Sequence, residues 1–302
     1  MFSNSSNFVQ GVDLSFAVIL GISVIFLVGV TFVMIWFVIK YSRKRNPKAS
    51  QIEGNNKLEI IWTVIPTILV LIMFYYGWMG YKPMREIPEN GLKIKTYAQM
   101  WSWSFEYPNG KVSDTLVVPV DEPVILDLNS RDVIHSLYIP AFRIKEDVVP
   151  GKNNKMWFIG QETGNYNILC AEYCGDRHSY MLSKVVVVPE AEYTKWYNDT
   201  VSSDPPGLAV MKKNACLSCH SLDGSRIVGP SFAGLWNKEE TILSAGKERK
   251  IIVDDEYIKK SLYNPGDDVV KGYPQGVMIS YKNNITDKEI TMIIEYLKTL
   301  KH

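Results

Sequence analysis

The sequence predicts a multidomain membrane protein: a two-helix transmembrane hairpin, a β-rich domain of the sandwich or Greek-key-barrel kind, and a small, mostly helical domain at the C-terminal end. Three observations predict it. Two long uncharged runs lie within the first 80 residues, short β-type runs broken by turn signals fill Leu92 to Val188, and the hydrophobic period shifts towards helix after S-S-D-P-P-G at Ser202–Gly207. All four cysteines fall in two short motifs, one in each of the last two domains.

Leu14 to Ile39 runs 26 positions without a charge, and Ile60 to Gly80 runs 21. A helix crosses the hydrocarbon core with about 20 apolar residues, so spans are expected at about 14–39 and 60–80 within an anchor of residues 1–81. The alternative is a pair of buried core helices. A cleavable signal peptide fits the first run poorly, because the run is too long and no Lys or Arg precedes it. Pro66 is expected to bend the second span, as membrane helices tolerate. Between the spans lie Lys40, Arg43, Lys44, Arg45, Lys48 and Lys57 against one acid, Glu53, while the N-terminal tail has no base and one acid, Asp13. The positive-inside rule makes the loop cytoplasmic and places both termini outside. The expectation is a two-pass protein of the bacterial inner (cytoplasmic) membrane, with everything after about Lys82 on the outer, periplasmic side. That compartment permits disulfides.

The β domain is placed at residues 82–190, on runs such as T-L-V-V-P-V, V-I-L-D-L and K-V-V-V-V-P with breaks at Pro108–Gly110, Pro150–Gly151 and Glu162–Asn165. A helix-compatible stretch around Glu192–Tyr197 opens a linker at 191–207. The tail domain, 208–302, is expected to hold helices before Cys216, at Asp254–Leu262 and from about Thr286 to Leu300. Thr286 is the N-cap of the last, with acids at Asp287 and Glu289 in the first turn and Lys298 in the last. Net charge is +1, divided as −3 over residues 81–203 and +1 over 204–302. Neither part has the basic field of a nucleic-acid binder.

Cys170, Cys174, His178 and Met181 follow one another at spacings of four, four and three, with His135 upstream. A blue copper site needs one Cys, two His and a weak axial Met. The second cysteine allows two thiolates to bridge two coppers, each capped by one histidine. A Cys170–Cys174 disulfide is the alternative; it leaves His135, His178 and Met181 without a role. C-L-S-C-H at Cys216–His220 is the c-type haem attachment pattern, with Cys216 and Cys219 as thioether residues and His220 as the proximal ligand. Met278, in the loop before the last helix, is placed as the sixth ligand; Met211 and Met292 read as core.

C-A-E-Y-C-G-D-R-H-S-Y-M, with R-D-V-I-H-S upstream, resembles the CuA-binding loop of cytochrome c oxidase subunit II. The resemblance implies a cupredoxin-like barrel in which Cys170 and Cys174 bridge two coppers, His135 and His178 cap them and Met181 is a weak ligand. It also implies that Glu172 gives its backbone oxygen to copper and its carboxylate to Mg²⁺ at the interface with subunit I. Y-A-Q-M-W-S-W-S-F-E-Y resembles the family's aromatic stretch, whose first tryptophan receives electrons; that position is Trp101, which from its residues alone reads as core. L-E-I-I-W-T-V-I-P resembles the start of the family's second transmembrane helix, whose acid, Glu59 here, opens a proton channel; the alternative is an acid favouring a helix N-terminus. Asp132 reads as structural or as a subunit contact. G-P-S-F-A-G-L-W resembles the all-α class I cytochromes c, in which the Pro230 carbonyl would accept a hydrogen bond from His220. Many members of that class have Pro after the methionine ligand, where this chain has Ile279.

A copper domain fused to a cytochrome c domain resembles the caa-type haem–copper oxidases. What this implies is a subunit that takes electrons from an upstream donor through covalent haem c to CuA. From there they pass to haem a and the O₂-reducing haem–CuB site of subunit I, coupled to proton translocation. The implied partners are subunit I, subunit III, membrane lipid and a donor: a cytochrome bc complex, alternative complex III or soluble cytochrome c. Three other readings stay open: the CuA subunit of a nitric oxide reductase, a quinol oxidase, whose related subunit lacks the copper ligands, and a membrane-anchored electron-shuttle or copper protein.

Overall fold

The computed structural model describes residues 4–48, 54–199 and 204–300. Glu53, Ser202, Ser203 and His302 lie outside the described residues. Helices α1 (Val9–Lys40) and α2 (Asn56–Arg85) have 32 and 30 residues. At 1.5 Å per residue they are about 48 and 45 Å long, so each outreaches a hydrocarbon core of about 30 Å. The most apolar window of each has none of its residues buried within the protein, which leaves lipid or a partner subunit to cover them. Helix α2 continues through Pro66 and Pro83, and Asn55 caps it by accepting from the Lys57 and Leu58 N–H groups. The two helices meet at small residues near their outer ends: a Cβ on Gly80 would lie 3.2 Å from the Gly11 carbonyl oxygen, and Ser15 donates to the Tyr76 carbonyl at 2.8 Å.

The β domain is fastened to this end of the hairpin. Arg143 donates to Asp13 at 2.8 Å, Arg85 to Glu146 at 2.6 Å, and the Trp157 indole N–H to the Pro83 carbonyl at 3.2 Å. Its strands are β1 (Leu92–Gln99), β2 (Ser102–Glu106), β3 (Val112–Ser113), β4 (Leu116–Pro119), β5 (Pro123–Ser130), β6 (His135–Ile139), β7 (Ile144–Val148), β8 (Asn154–Ile159), β9 (Gly164–Cys170) and β10 (Leu182–Val188). They form two five-stranded sheets, ordered β3-β2-β1-β5-β8 and β4-β10-β9-β6-β7. The pairs β1/β5 and β4/β10 are parallel and the rest antiparallel. Alternation along the strands sends Ile94, Phe105, Leu126, Leu137, Phe158 and Ile168 into one shared core. Helix α3 (Glu190–Asn198) lies in the stretch expected as linker and packs Trp196 edge-on against Tyr107 of this core, at 4.9 Å between centroids.

The tail domain holds the expected helices: α4 (Pro206–Lys213), α5 (Asp255–Tyr263) and α6 (Asp287–Thr299). Thr286 caps α6 in a reciprocal box with Glu289. Helix α4 crosses α6 at Gly207, where a Cβ would come within 2.2 Å of the Met292 carbonyl oxygen. One addition was not expected, an antiparallel sheet of β11 (Glu239–Ser244), β12 (Lys247–Ile252) and β13 (Asp268–Val270), ordered β12-β11-β13. Its two-residue turn, Ala245–Gly246, has positive φ at both positions, the hairpin geometry that Asn-Gly announces clearly and Ala-Gly does not.

Candidate metal centre and haem site

Neighbouring strands supply the first two groups of the metal centre. His135 opens β6 and is fully buried; Cys170 closes β9, opposite Leu137 of β6. The chain between β9 and β10 supplies the others: Cys174, His178 at the head of a 3₁₀ turn, and buried Met181 just before β10. The sulfurs of Cys170 and Cys174 lie 3.8 Å apart. That is too far for a disulfide, about 2.05 Å, and close enough for both to hold one metal at about 2.3 Å each. His135 Nδ1 is 3.9 Å from the Cys170 sulfur, and His178 Nδ1 is 3.5 Å from that of Cys174. Met181 Sδ is 3.8 Å from the Cys174 sulfur, and the Cys170 thiol reaches the Glu172 carbonyl at 3.2 Å. The geometry therefore brings together His135, Cys170, Cys174, His178, Met181 and the Glu172 backbone, while the Glu172 side chain faces outward. All four cysteines are free.

The electrostatics suit a soft cation. Burial works against ionising Cys170, yet hydrogen bonds with His135 and with the backbone of Ser136 and Glu172 hold its pKa below the usual thiol value. Burial and the neighbouring Cys170 push the pKa of Cys174 above the usual thiol value. The pair thus sheds one proton readily and keeps the second until a positive charge arrives to displace it. This donor set, with imidazoles on both flanks and a thioether behind, fits copper.

Asp132 organises the site in a way that sequence reading missed. Its Oδ1 bonds His135 Nε2 at 2.8 Å, which turns Nδ1 towards the sulfurs. Its Oδ2 accepts from the Met100 N–H at 2.7 Å, fixing the residue before Trp101. The spacing of three between Asp132 and His135 was the available signal; the bond to Met100 is long-range and left none. Trp101 is buried and donates from its indole nitrogen to the Cys174 carbonyl at 3.0 Å. Gly175 lies beneath it with φ +112°, and a Cβ there would meet the indole at 3.2 Å.

In the tail domain, Ala215 at φ +58° turns the chain out of α4 into the 3₁₀ turn Cys216–Ser218. His220 Nδ1 bonds the Pro230 carbonyl at 2.7 Å, leaving Nε2 for iron. Phe232 stacks on its ring at 4.5 Å, and Gly229 is so close that a Cβ would sit 2.5 Å from its Cε1. Burial lowers the His220 pKa, which keeps the ring neutral, the form that ligates. Cys216, Cys219, His220 and Met278 line one cavity together with apolar side chains, a lining that would suit a covalent haem. Burial pushes Cys216 up to about 12 and raises Cys219 as well, so neither is poised as a thiolate ligand as Cys170 is. Met211 is fully buried in the core of this domain and Met292 half-buried against it. Glu59 stands exposed in the first turn of α2.

The periplasmic-domain family of cytochrome c oxidase subunit II matches residues 110–188, its transmembrane-domain family residues 1–77, and the cytochrome c family residues 206–301. A cytochrome c oxidase subunit 2 of Alkalihalophilus pseudofirmus is 31% identical over 306 residues, covering 94% of this chain and 86% of its own. The chain belongs to the cytochrome c oxidase subunit II family. Its namesake in Bacillus subtilis is 29% identical, over 89% of this chain and 82% of its own. The crystal structure of the periplasmic domain of subunit II of cytochrome oxidase of Bradyrhizobium japonicum is 34% identical, at a TM-score of 0.35, over 36% of this chain and 93% of its own. Family membership makes the chain a subunit of an oxidoreductase complex, with two membrane helices and a periplasmic domain. It implies CuA copper in that domain and haem in the cytochrome c domain.

Proposed function

We propose that this subunit receives electrons at a covalent haem c, passes them to a dinuclear CuA centre, and delivers them to haem a and the O₂-reducing haem–CuB site of subunit I. One observation carries the proposal. A pair of cysteine sulfurs 3.8 Å apart, with an imidazole on each flank, shares one chain with a C-x-x-C-H cavity that also contains Met278.

In this reading Cys170 and Cys174 bridge the coppers, and His135 and His178 cap them. Met181 and the Glu172 carbonyl are weak ligands, and the Glu172 carboxylate takes Mg²⁺ at the contact with subunit I. The bound groups supply one-electron chemistry. The protein fixes their ligands in advance, so little has to rearrange when an electron arrives or leaves. Asp132 holds the His135 tautomer, Pro230 holds that of His220, and Trp101 is the aromatic through which electrons reach the copper loop. Glu59, placed by the basic loop on the cytoplasmic side, opens a proton path into subunit I and links the chain to proton translocation. Exposed Tyr173 and Tyr180 on the copper loop are apolar surface for subunit I to cover. Subunit III completes the assembly in the bacterial cytoplasmic membrane, and a cytochrome bc complex, alternative complex III or soluble cytochrome c is the donor.

Purification from native membranes with metal and haem analysis tests this reading. The expected result is two coppers and one covalent haem per chain, with a haem a-containing subunit alongside. Cys170→Ser should abolish the near-infrared absorption of CuA while leaving haem c in place; persistence of that absorption would refute the copper assignment.

A further inference from the structure

The haem cavity is not walled by its own domain alone. Gln99, Met100 and Asp132 of the copper domain form one side of it. Cys219, Val228 and Val277 of the haem domain pack against the core of the copper domain. Around this apolar patch the polar contacts are specific. Arg177, next to His178, donates to the Ser218 carbonyl within C-L-S-C-H at 2.9 Å, and the Cys219 sulfur lies 3.9 Å from the Met100 carbonyl oxygen.

At the centre is Tyr281, which is 4% exposed. Its hydroxyl accepts from the Gln99 side-chain amide at 2.6 Å and donates to the Asn214 carbonyl at 3.1 Å. One hydroxyl, with both its acceptor and donor roles filled, therefore joins three places. Gln99 ends β1, two residues before Trp101; Asn214 lies two residues before Cys216; Tyr281 itself lies three residues after Met278.

We propose that the Tyr281 hydroxyl, held between Gln99 and Asn214, is the latch that seats this chain's own haem domain on the Met100–Trp101 face of its copper domain. The inference rests on the electron-transfer reading above and adds the standing occupant of that face. Latched, the chain keeps a continuous series of contacts: Cys219 against Met100, Met100 bonded to Trp101, and Trp101 hydrogen-bonded to Cys174. A soluble cytochrome meets the haem domain first, because the face over Trp101 is already covered. Tyr281 and Gln99 are positioning residues; neither is a metal or haem ligand. Removing the Tyr281 hydroxyl leaves the buried Gln99 amide without its acceptor, and removing the Gln99 amide takes away the bond that ties the hydroxyl to the copper domain; either change shifts the docking equilibrium by roughly tenfold or more.

The test uses the purified oxidase with a protease site placed between Ser202 and Ser203. Haem and CuA absorption are recorded first, so that loss of either from the unsubstituted protein counts against the electron-transfer reading and not against the latch. The linker is then cut and the haem domain left on the immobilised complex is measured. The latch predicts that the cut domain stays bound to the parent complex, and that Tyr281→Phe and Gln99→Leu each raise its release roughly tenfold or more while both absorption bands persist. The two substitutions lie in different domains, so if one impairs assembly the other decides. Immediate release from the parent complex, or retention by the variants equal to that of the parent, overturns it.

Discussion

Asp132 serves two neighbours with one carboxylate: it sets the ring of His135 and it holds the backbone that presents Trp101. The side chains of His135 and Asp132 are 0% and 4% exposed, so their interaction is costly to lose. Asp132→Ala frees the His135 ring to turn, and we expect copper affinity to fall by roughly 10–100-fold, the range for removing the hydrogen-bond partner of a ligating histidine. Competition against a chelator of known affinity measures this, and unchanged affinity would remove Asp132 from the site. That the side chains of the copper loop cluster was legible in sequence because the spacing C-x₃-C-x₃-H-x₂-M puts them on one short loop. The part played by Asp132 was half hidden. Its tie to His135 is local, whereas its tie to Met100 depends on how β1 and β5 pair, which no local pattern encodes.

Among the elements, the helices of the tail domain announced themselves by cap and period, Thr286 before α6 most clearly. The strands of the copper domain were legible as runs, but not the order in which they pair. The hairpin β11/β12 escaped because its turn is Ala-Gly and its strands carry the charged run K-E-R-K, which reads as a solvated loop. What fixes that sheet to the helices is Asp268. It ends the pairing of β13 with β11, and its carboxylate accepts from Lys260 of α5 at 2.6 Å and from Arg249 of β12 at 3.1 Å. Burial alone would raise its pKa, but the two cations outweigh that and hold it below the usual carboxylate value. A pKa depressed by folding contributes stability that is complete above the unfolded value, about 3.9, and fades as the pH falls through the folded one. Asp268→Asn should cost about 1–3 kcal/mol at neutral pH by leaving the two cations without their anion, and the cost should shrink in acid. Urea unfolding followed at the haem band, at pH ~7 and pH ~3.5, gives the comparison; an equal loss at both would show that the charge is not what matters.

At the scale of the whole molecule, the chain is a two-helix membrane hairpin followed by the oxidase periplasmic domain and a cytochrome c domain, with the haem domain seated against the copper domain. Covalent tethering makes their encounter intramolecular, at effective concentrations in the millimolar range for a short linker, and the near-neutral haem domain fits a carrier that does not need to be steered from a distance. The number and kind of these domains were legible in sequence because each has its own hydrophobic period and its own cysteine motif. Their mutual seating was not, because Gln99, Arg177 and Tyr281 have no meaning until two separate folds meet. In the proposed function, electrons pass from the haem at Cys216–His220 to the copper at Cys170 and Cys174, and only then to subunit I. The most direct measurement is rapid reduction of the purified oxidase from the donor side, with haem c, CuA and haem a followed at their own wavelengths. The predicted result is reduction in that order, with Cys170→Ser stopping the sequence at reduced haem c and leaving haem a oxidised. Reduction of haem a in the Cys170→Ser protein at the parent rate would contradict it.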